Sequence, residues 1–167
     1  NKEFDDGDLR EVVQTRESAW YRFLTSDDTY DPDRLTFDRE LLRRHYLANG
    51  YADFRVVSAV AELTPDSKAF FVTFTVEEGA RYKIGKVDFI TALRNLDVEK
   101  LREGQTIVPG DWYNADEVEA MIGKLTDAVG VFGYAFVDIR PRVRRDRKTR
   151  LIDVAFVIQE GPRVFVE

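Results

Sequence analysis

The sequence repeats itself. At an offset of 83 residues, Tyr30-Asp31-Pro32-Asp33 falls on Tyr113-Asn114-Ala115-Asp116, and Gly50-Tyr51-Ala52 falls on Gly133-Tyr134-Ala135. At an offset of 82, Val72, Phe74 and Val76 fall on Val154, Phe156 and Ile158. Glu78-Gly79 then meets Glu160-Gly161, and Arg81 meets Arg163. Upstream, Asp5 and Leu9 meet Asp97 and Leu101 at an offset of 92, so the first copy holds about nine extra residues between Leu9 and Tyr30. A turn box, a triplet, an apolar stripe and a Glu-Gly recurring in one order mark two copies of one module. The length of 167 residues would otherwise suit a single domain. A module of half that size buries only about 60–65% of its unfolded surface and is modestly stable alone.

The chain is 44% hydrophobic with 12 Phe, 7 Tyr and 2 Trp, enough apolar material for packed cores and against disorder. Cysteine is absent, which excludes disulfide frameworks, thiolate zinc sites and cysteine nucleophiles. His45 is the single histidine, leaving no His-rich metal site and at most one histidine base. A net charge of −6 argues against a general nucleic-acid-binding surface. No run approaches the roughly 20 apolar residues that span a bilayer. With no initiator Met and no signal-peptide pattern, the chain reads as a soluble piece of something longer.

The second copy predicts strand, helix, helix, strand, strand. Lys83–Ile90 reads as a strand and Asp97–Arg102 as a short helix. Asn114 is a predicted N-cap with Glu117 three residues on, followed by Val118, Met121, Ile122, Leu125 and Val129 at helical spacing. Gly130 and Gly133 offer helix stops. Tyr134–Arg144 and Arg150–Glu160 read as strands around the turn Asp146-Arg147-Lys148-Thr149. The first copy repeats this from its helices onward. Asp5 or Asp6 caps a helix bearing Leu9, Val12 and Val13; Asp31-Pro32 opens a second helix with a stripe of Leu35, Leu42 and Tyr46. Tyr51–Leu63 and Ala69–Glu77 then form a predicted hairpin.

Chain reversal makes the last two strands antiparallel and the first parallel to the third, giving sheet order 1-3-2 with both helices on one face. Pro141 fits an edge strand. The fold class is thus α+β, in tandem modules at 1–81 and 82–162. The first module lacks its first strand, and residues 163–167 match the start of a following one. The first module's central strand would then be bare on one side, an aggregation hazard, and a covering segment is expected there.

A Gly-Tyr-Ala at a helix end, a hairpin, then Glu-Glu-Gly or Gln-Glu-Gly before the next strand resembles the POTRA (polypeptide-transport-associated) family. The string RRHYLANGYADFRV, then AELTPDSKAFFVTFTVEEGARYKIGKV, then GDWYNADEVEAMIGKLTDAVGVFGYAF is similar to the third and fourth POTRA domains of outer-membrane β-barrel assembly factors. One departure is visible: the family often follows its first strand with Gly-Asn, whereas Thr91-Ala92 stands here. The resemblance implies a periplasmic scaffold without enzymatic activity or cofactors. Its implied partners are unfolded outer-membrane proteins and accessory assembly lipoproteins, and its implied parent is anchored in the outer membrane by a C-terminal β-barrel.

An exposed strand edge offers backbone donors and acceptors to an extended peptide, largely independent of sequence. The candidate edge is Phe54, Arg55, Val56, Val57, Ser58, Ala59, Val60, Ala61 and Glu62, β-branched and proline-free. Its two faces are ambiguous, which predicts a bulge or twist. The plainer reading is an edge strand with no client. In the second module Pro141 and the outward Arg140, Arg142 and Arg144 predict an edge that accepts strands poorly. Residues 140–150 carry seven basic residues against Asp146. Arg140, Arg142, Arg144, Arg145 and Arg147 are therefore a candidate docking patch for an acidic partner or lipid headgroups, or simply a solvated face. Trp20, Tyr21 and Phe23 are a candidate aromatic contact, or they pack over the module. His45, one residue before Tyr46, reads as a helix-surface or boundary residue. Glu77 and Glu78 read as a strand end, since adjacent strand residues point oppositely. No metal site is expected. A spacer that only sets distances is the competing reading, and a hydrolase has little support.

Overall fold

The computed structural model describes residues 3–12, 32–63, 70–94, 96–134 and 136–161. It divides into two compact units. Unit 1 comprises Asn1–Leu47 with Asp53–Gly79, and unit 2 comprises Ala48–Ala52 with Ala80–Glu167.

Unit 1 holds helices α1 (Asp6–Val12) and α2 (Pro32–Ala48) and strands β1 (Arg55–Leu63) and β2 (Phe70–Glu77). Asp5 caps α1: its Oδ1 accepts from the Asp8 amide at 2.8 Å, and the Asp8 carboxylate accepts from the Asp5 amide at 3.0 Å. This is a reciprocal capping box, with Asp in the place of the usual Glu. Residues Leu35, Leu42 and Tyr46 of α2 are buried, as their spacing predicts. So is Asp38, on the same stripe and wholly inaccessible. Tyr46 stacks on Phe54 with ring centroids 4.0 Å apart. Phe4 meets Tyr46 edge-on at 5.2 Å, bringing the segment before α1 onto α2.

The sheet of unit 1 is the antiparallel pair β1–β2. Among the described residues β2 has no other strand partner, so the expected cover of its second edge is supplied by no described segment. The hairpin strand also begins later than predicted, at Arg55 rather than Tyr51. Residues Ala48–Ala52 pack with unit 2 instead. There the Gly50 carbonyl accepts from the Tyr82 amide at 2.9 Å, and Arg81 and Arg145 donate to the Asn49 and Ala52 carbonyls, each at 2.8 Å. Gly50 has φ +93°, a left-handed conformation that glycine adopts at little cost.

Unit 2 adds β3 (Lys83–Thr91), α3 (Val98–Glu103), α4 (Ala115–Val131), β4 (Val137–Asp146) and β5 (Leu151–Glu160). Its sheet order is β3-β5-β4, with β3 parallel and β4 antiparallel to the central β5. Ile152, Val154, Phe156 and Ile158 of β5 are fully or nearly fully buried. They share one core with Leu101 of α3 and with Val118, Met121, Leu125 and Val129 of α4. Asp97 and Asn114 cap α3 and α4, their side chains accepting amide hydrogens of the first turn. A register shift in β3 between Ile84 and Val87 contains Gly85. A Cβ there would collide with the Asp153 carboxylate. Asp153 accepts from the Lys86 amide and from Arg144, each at 2.8 Å, and so ties all three strands together. The far edge of β3 is partly covered by residues 110–113. Gly110 donates to the Ile84 carbonyl, and Ile84 donates to that of Asp111, each at 2.8 Å.

Candidate functional site

Strand β1 lies at an edge and presents its outer backbone without a partner strand among the described residues. Its pairing with β2 slips between Val56 and Ser58, leaving Val57 as the extra residue of a β-bulge. The bulge explains the ambiguous faces. Phe54 and Val56 face inward before it, and Ala59 and Ala61 pair with Phe74 and Val72 after it. An even inward parity thus becomes odd. Without the extra residue one of these two pairs would turn to solvent. The outward cost is that Val57 is 54% and Val60 47% exposed. These are large β-branched side chains beside an open backbone edge.

The ends of the hairpin are pinned. Arg55 pairs with Glu77, its cross-strand neighbour, through contacts of 2.6 and 2.8 Å. Both groups are exposed, so this pair contributes little, on the order of 0.2–1 kcal/mol. Glu78 turns the other way and accepts from the Tyr46 hydroxyl at 3.0 Å. The adjacent carboxylates point apart, and each has a structural partner. Phe54 stands one residue before β1 and is buried, so it anchors the strand from the core side rather than lining its free edge.

The equivalent edge in unit 2 is β4. Pro141 sits in it opposite Phe156 without breaking the register, as an edge proline can. Arg140, Arg142 and Arg144 alternate on the face away from the helices. Arg140 pairs with Asp138 and Arg144 with Asp153, both at 2.8 Å. Arg144, by donating to Asp153, holds that carboxyl below its ordinary pKa, with the Lys86 amide adding to the effect. Arg145 donates to the Ala52 carbonyl. Arg147 and Lys148 lie in the following turn, where the Asp146 carboxylate accepts from the Lys148 and Thr149 amides. These backbone bonds lower the Asp146 pKa. The five candidate arginines therefore do not act alike: Arg140, Arg144 and Arg145 bind groups of their own unit, and Arg142 stands between two paired neighbours.

Trp20, Tyr21 and Phe23 lie outside the described residues. His45 is half-buried beside Phe4, ring centroids 4.8 Å apart. Burial pushes its pKa below the ordinary 6.5, against a smaller opposing effect of Asp8. Among the described residues no group of three or more His, Asp or Glu is placed to hold a metal ion. Within the same residues no helix is long and apolar enough to cross a membrane. Sequence reasoning missed the cluster around Trp112, over whose ring Arg81 lies at 4.1 Å and Lys83 at 5.1 Å. No spacing signals it, because loop 111–113 reaches β3 only through tertiary pairing.

Comparison with known proteins gives a concordant result. A family model described as "POTRA: Surface antigen variable number repeat" matches residues 1–79 and again 82–161. The chain is 25% identical over 166 residues to the outer membrane protein assembly factor BamA of Neisseria meningitidis, covering 99% of this chain and 21% of that protein. It is 31% identical over 150 residues to BamA of Buchnera aphidicola, covering 89% and 24%. The chain thus spans about a fifth to a quarter of the length of these curated relatives. Among solved structures it resembles POTRA domains 3–5 of Haemophilus influenzae BamA with a TM-score of 0.76 at 19% identity, covering all of this chain and 65% of that one. BamA of Haemophilus ducreyi lacking POTRA domains 1–3 gives a TM-score of 0.61 at 17% identity, over 79% of this chain and 24% of that one.

Proposed function

Because the chain belongs to the POTRA family, we propose that it is a docking scaffold in the assembly of outer-membrane proteins, with modules at 1–81 and 82–162. The relatives named as outer membrane protein assembly factors support that setting. In this reading the chain works in the periplasm, as part of a protein held in the outer membrane by a β-barrel. It binds rather than catalyses. Unfolded outer-membrane proteins or accessory lipoproteins add an extended segment to the edge of β1.

The observation that carries this reading is the edge itself. Arg55–Glu62 has an unpaired outer backbone among the described residues and two exposed valines beside it. Main-chain hydrogen bonds would supply affinity without a sequence motif, which suits clients that share strand character alone. Titration of the isotope-labelled chain with an extended peptide from an outer-membrane protein tests it. Amide shifts confined to residues 54–62 are expected. No shift at millimolar peptide would leave the chain a spacer.

A further inference from the structure

The pairing registers of the two hairpins can be laid on each other residue by residue. Ser58, Val60 and Glu62 of β1 stand opposite Thr75, Thr73 and Phe71 of β2. At the repeat offset of 82 these become Val157, Ala155 and Asp153 of β5, opposite Arg140, Arg142 and Arg144 of β4. Glu62 therefore takes the place that Arg144 takes in unit 2. Arg144 meets a carboxylate there, that of Asp153 at 2.8 Å. Glu62 is exposed and stands opposite the uncharged Phe71, with no ion-pair partner among the described residues. Arg55, at the other end of β1, is already held by Glu77. The outward row of β1 thus ends in one unmatched negative charge, two positions past Val60, which is 47% exposed. On the inward side Ala59 and Ala61 are small and half-buried.

We infer that β1 selects among extended segments by this row: it takes a strand that sets a Lys or Arg beside Glu62 and a β-branched or aromatic residue beside Val60. This rests on strand addition at β1 and states what the added strand carries. Past the bulge the register runs unbroken from Ser58 to Leu63, so one straight segment can pair along it. Directly opposed side chains on one face of a sheet act in pairs, and opposite charges and apolar partners stabilise where like charges do not. An acidic residue at the same place would oppose Glu62. The intervening residues of the added strand fall beside Ala59 and Ala61, where large apolar side chains gain buried area that the alanines do not supply. Antiparallel pairing is slightly more stable per residue than parallel. In that direction the cation comes two residues before the one that meets Val60. The partner is thus an extended segment of the pattern basic, apolar, β-branched or aromatic, apolar.

The test is titration of the full isotope-labelled chain with three strand peptides blocked at both ends. The first has Lys two residues before a central Val. The second has Glu in place of that Lys. The third has the Lys two residues after the Val, where parallel pairing would bring it to Glu62. The first should shift the amides of residues 58–63 and bind about threefold more tightly than its Glu twin, the size of one cross-strand charge pair. That difference should shrink between about 50 and 300 mM salt, as exposed charges are screened. Glu62→Gln should abolish the difference and Glu62→Lys should invert it, with the rest of the spectrum unchanged in both variants because the position is exposed. Equal affinity of the twins, a difference that survives Glu62→Gln, or tightest binding of the third peptide would overturn the proposal and leave strand addition at β1 standing. No shift at residues 54–62 with any of the three at millimolar peptide would overturn both.

Discussion

The edges of β1 and β4 occupy the same place in the repeat and carry opposite chemistry. β1 is proline-free, bulged at Val57 and dressed with exposed valines. β4 carries Pro141, which has no N–H to give, and a row of arginines. One fold thus presents two edges of different make-up, one proline-free and bulged, the other carrying a proline and alternating arginines. The difference lies in a few side chains and one inserted residue, not in topology.

The largest test of this contrast removes the bulge. Deleting Val57 forces either Phe54 and Val56 or Ala59 and Ala61 to the outer face. The loss should be about 3 kcal/mol or more if the first pair is exposed, since each large apolar side chain contributes roughly 1.5–3 kcal/mol on burial. Denaturant unfolding reads it, and an unchanged midpoint would show that the bulge does not set the inward parity. In unit 2, Gly85→Ala drives a methyl group into the Asp153 carboxylate. It should cost about 1–3 kcal/mol, by analogy with overpacking. Asp153→Ala in the same background should recover part of that loss, and failure to do so would dissociate the two residues.

The edge contrast itself can be reversed. Pro141→Val combined with Arg140→Thr and Arg142→Thr should give β4 amide shifts with extended peptides that the parent β4 lacks. Val60→Lys should weaken peptide binding at β1 by several-fold, as charge blunts an edge. Equal peptide shifts at both edges of the parent chain would erase the distinction.

The smallest expected effect is in pH. The His45 pKa is lowered by burial, so the unfolded chain binds more protons once pH falls below about 6.5. Stability then declines as pH drops from that value through the folded pKa. His45→Gln should flatten the decline in unfolding midpoints between pH 7.5 and 5.5. Asp153 works in the other window. Its lowered pKa contributes stability present above the ordinary 3.8 and lost only as pH falls through the lower folded value. Mild acid should therefore act through unit 1 and strong acid through unit 2. The opposite order, followed by amide exchange, would break the assignment.

Much of the architecture is legible in the amino-acid sequence. Asn114 and Asp97 announce their helices because capping is a contact within one turn. The β5 stripe announces a central strand because alternate burial has a period of two. Pro141 announces that β4 is an edge strand, since a proline cannot donate to a second ladder. Other features stayed hidden for physical reasons. Asp38 sits on a core stripe but is polar, so the pattern skips it. The segment Ala48–Ala52 reads as the run into a strand, yet bonds to Tyr82, Arg81 and Arg145, distant in sequence, place it with unit 2. The Arg81–Trp112 stack depends on the same kind of distant pairing.

The sequence by itself determined the repeat, the element order, the stripes that become cores and the different charge of the two edges. These are local or periodic properties, written within a few residues of one another. Only the tertiary structure decided that Val57 is the inserted residue, that β3's far edge is partly covered by residues 110–113, and that among the described residues Arg142 has no partner between the paired Arg140 and Arg144. Register and the coverage of an edge depend on which distant strand arrives and how it slides. A one-residue slip, invisible in composition, exchanges the buried face of a strand for the exposed one.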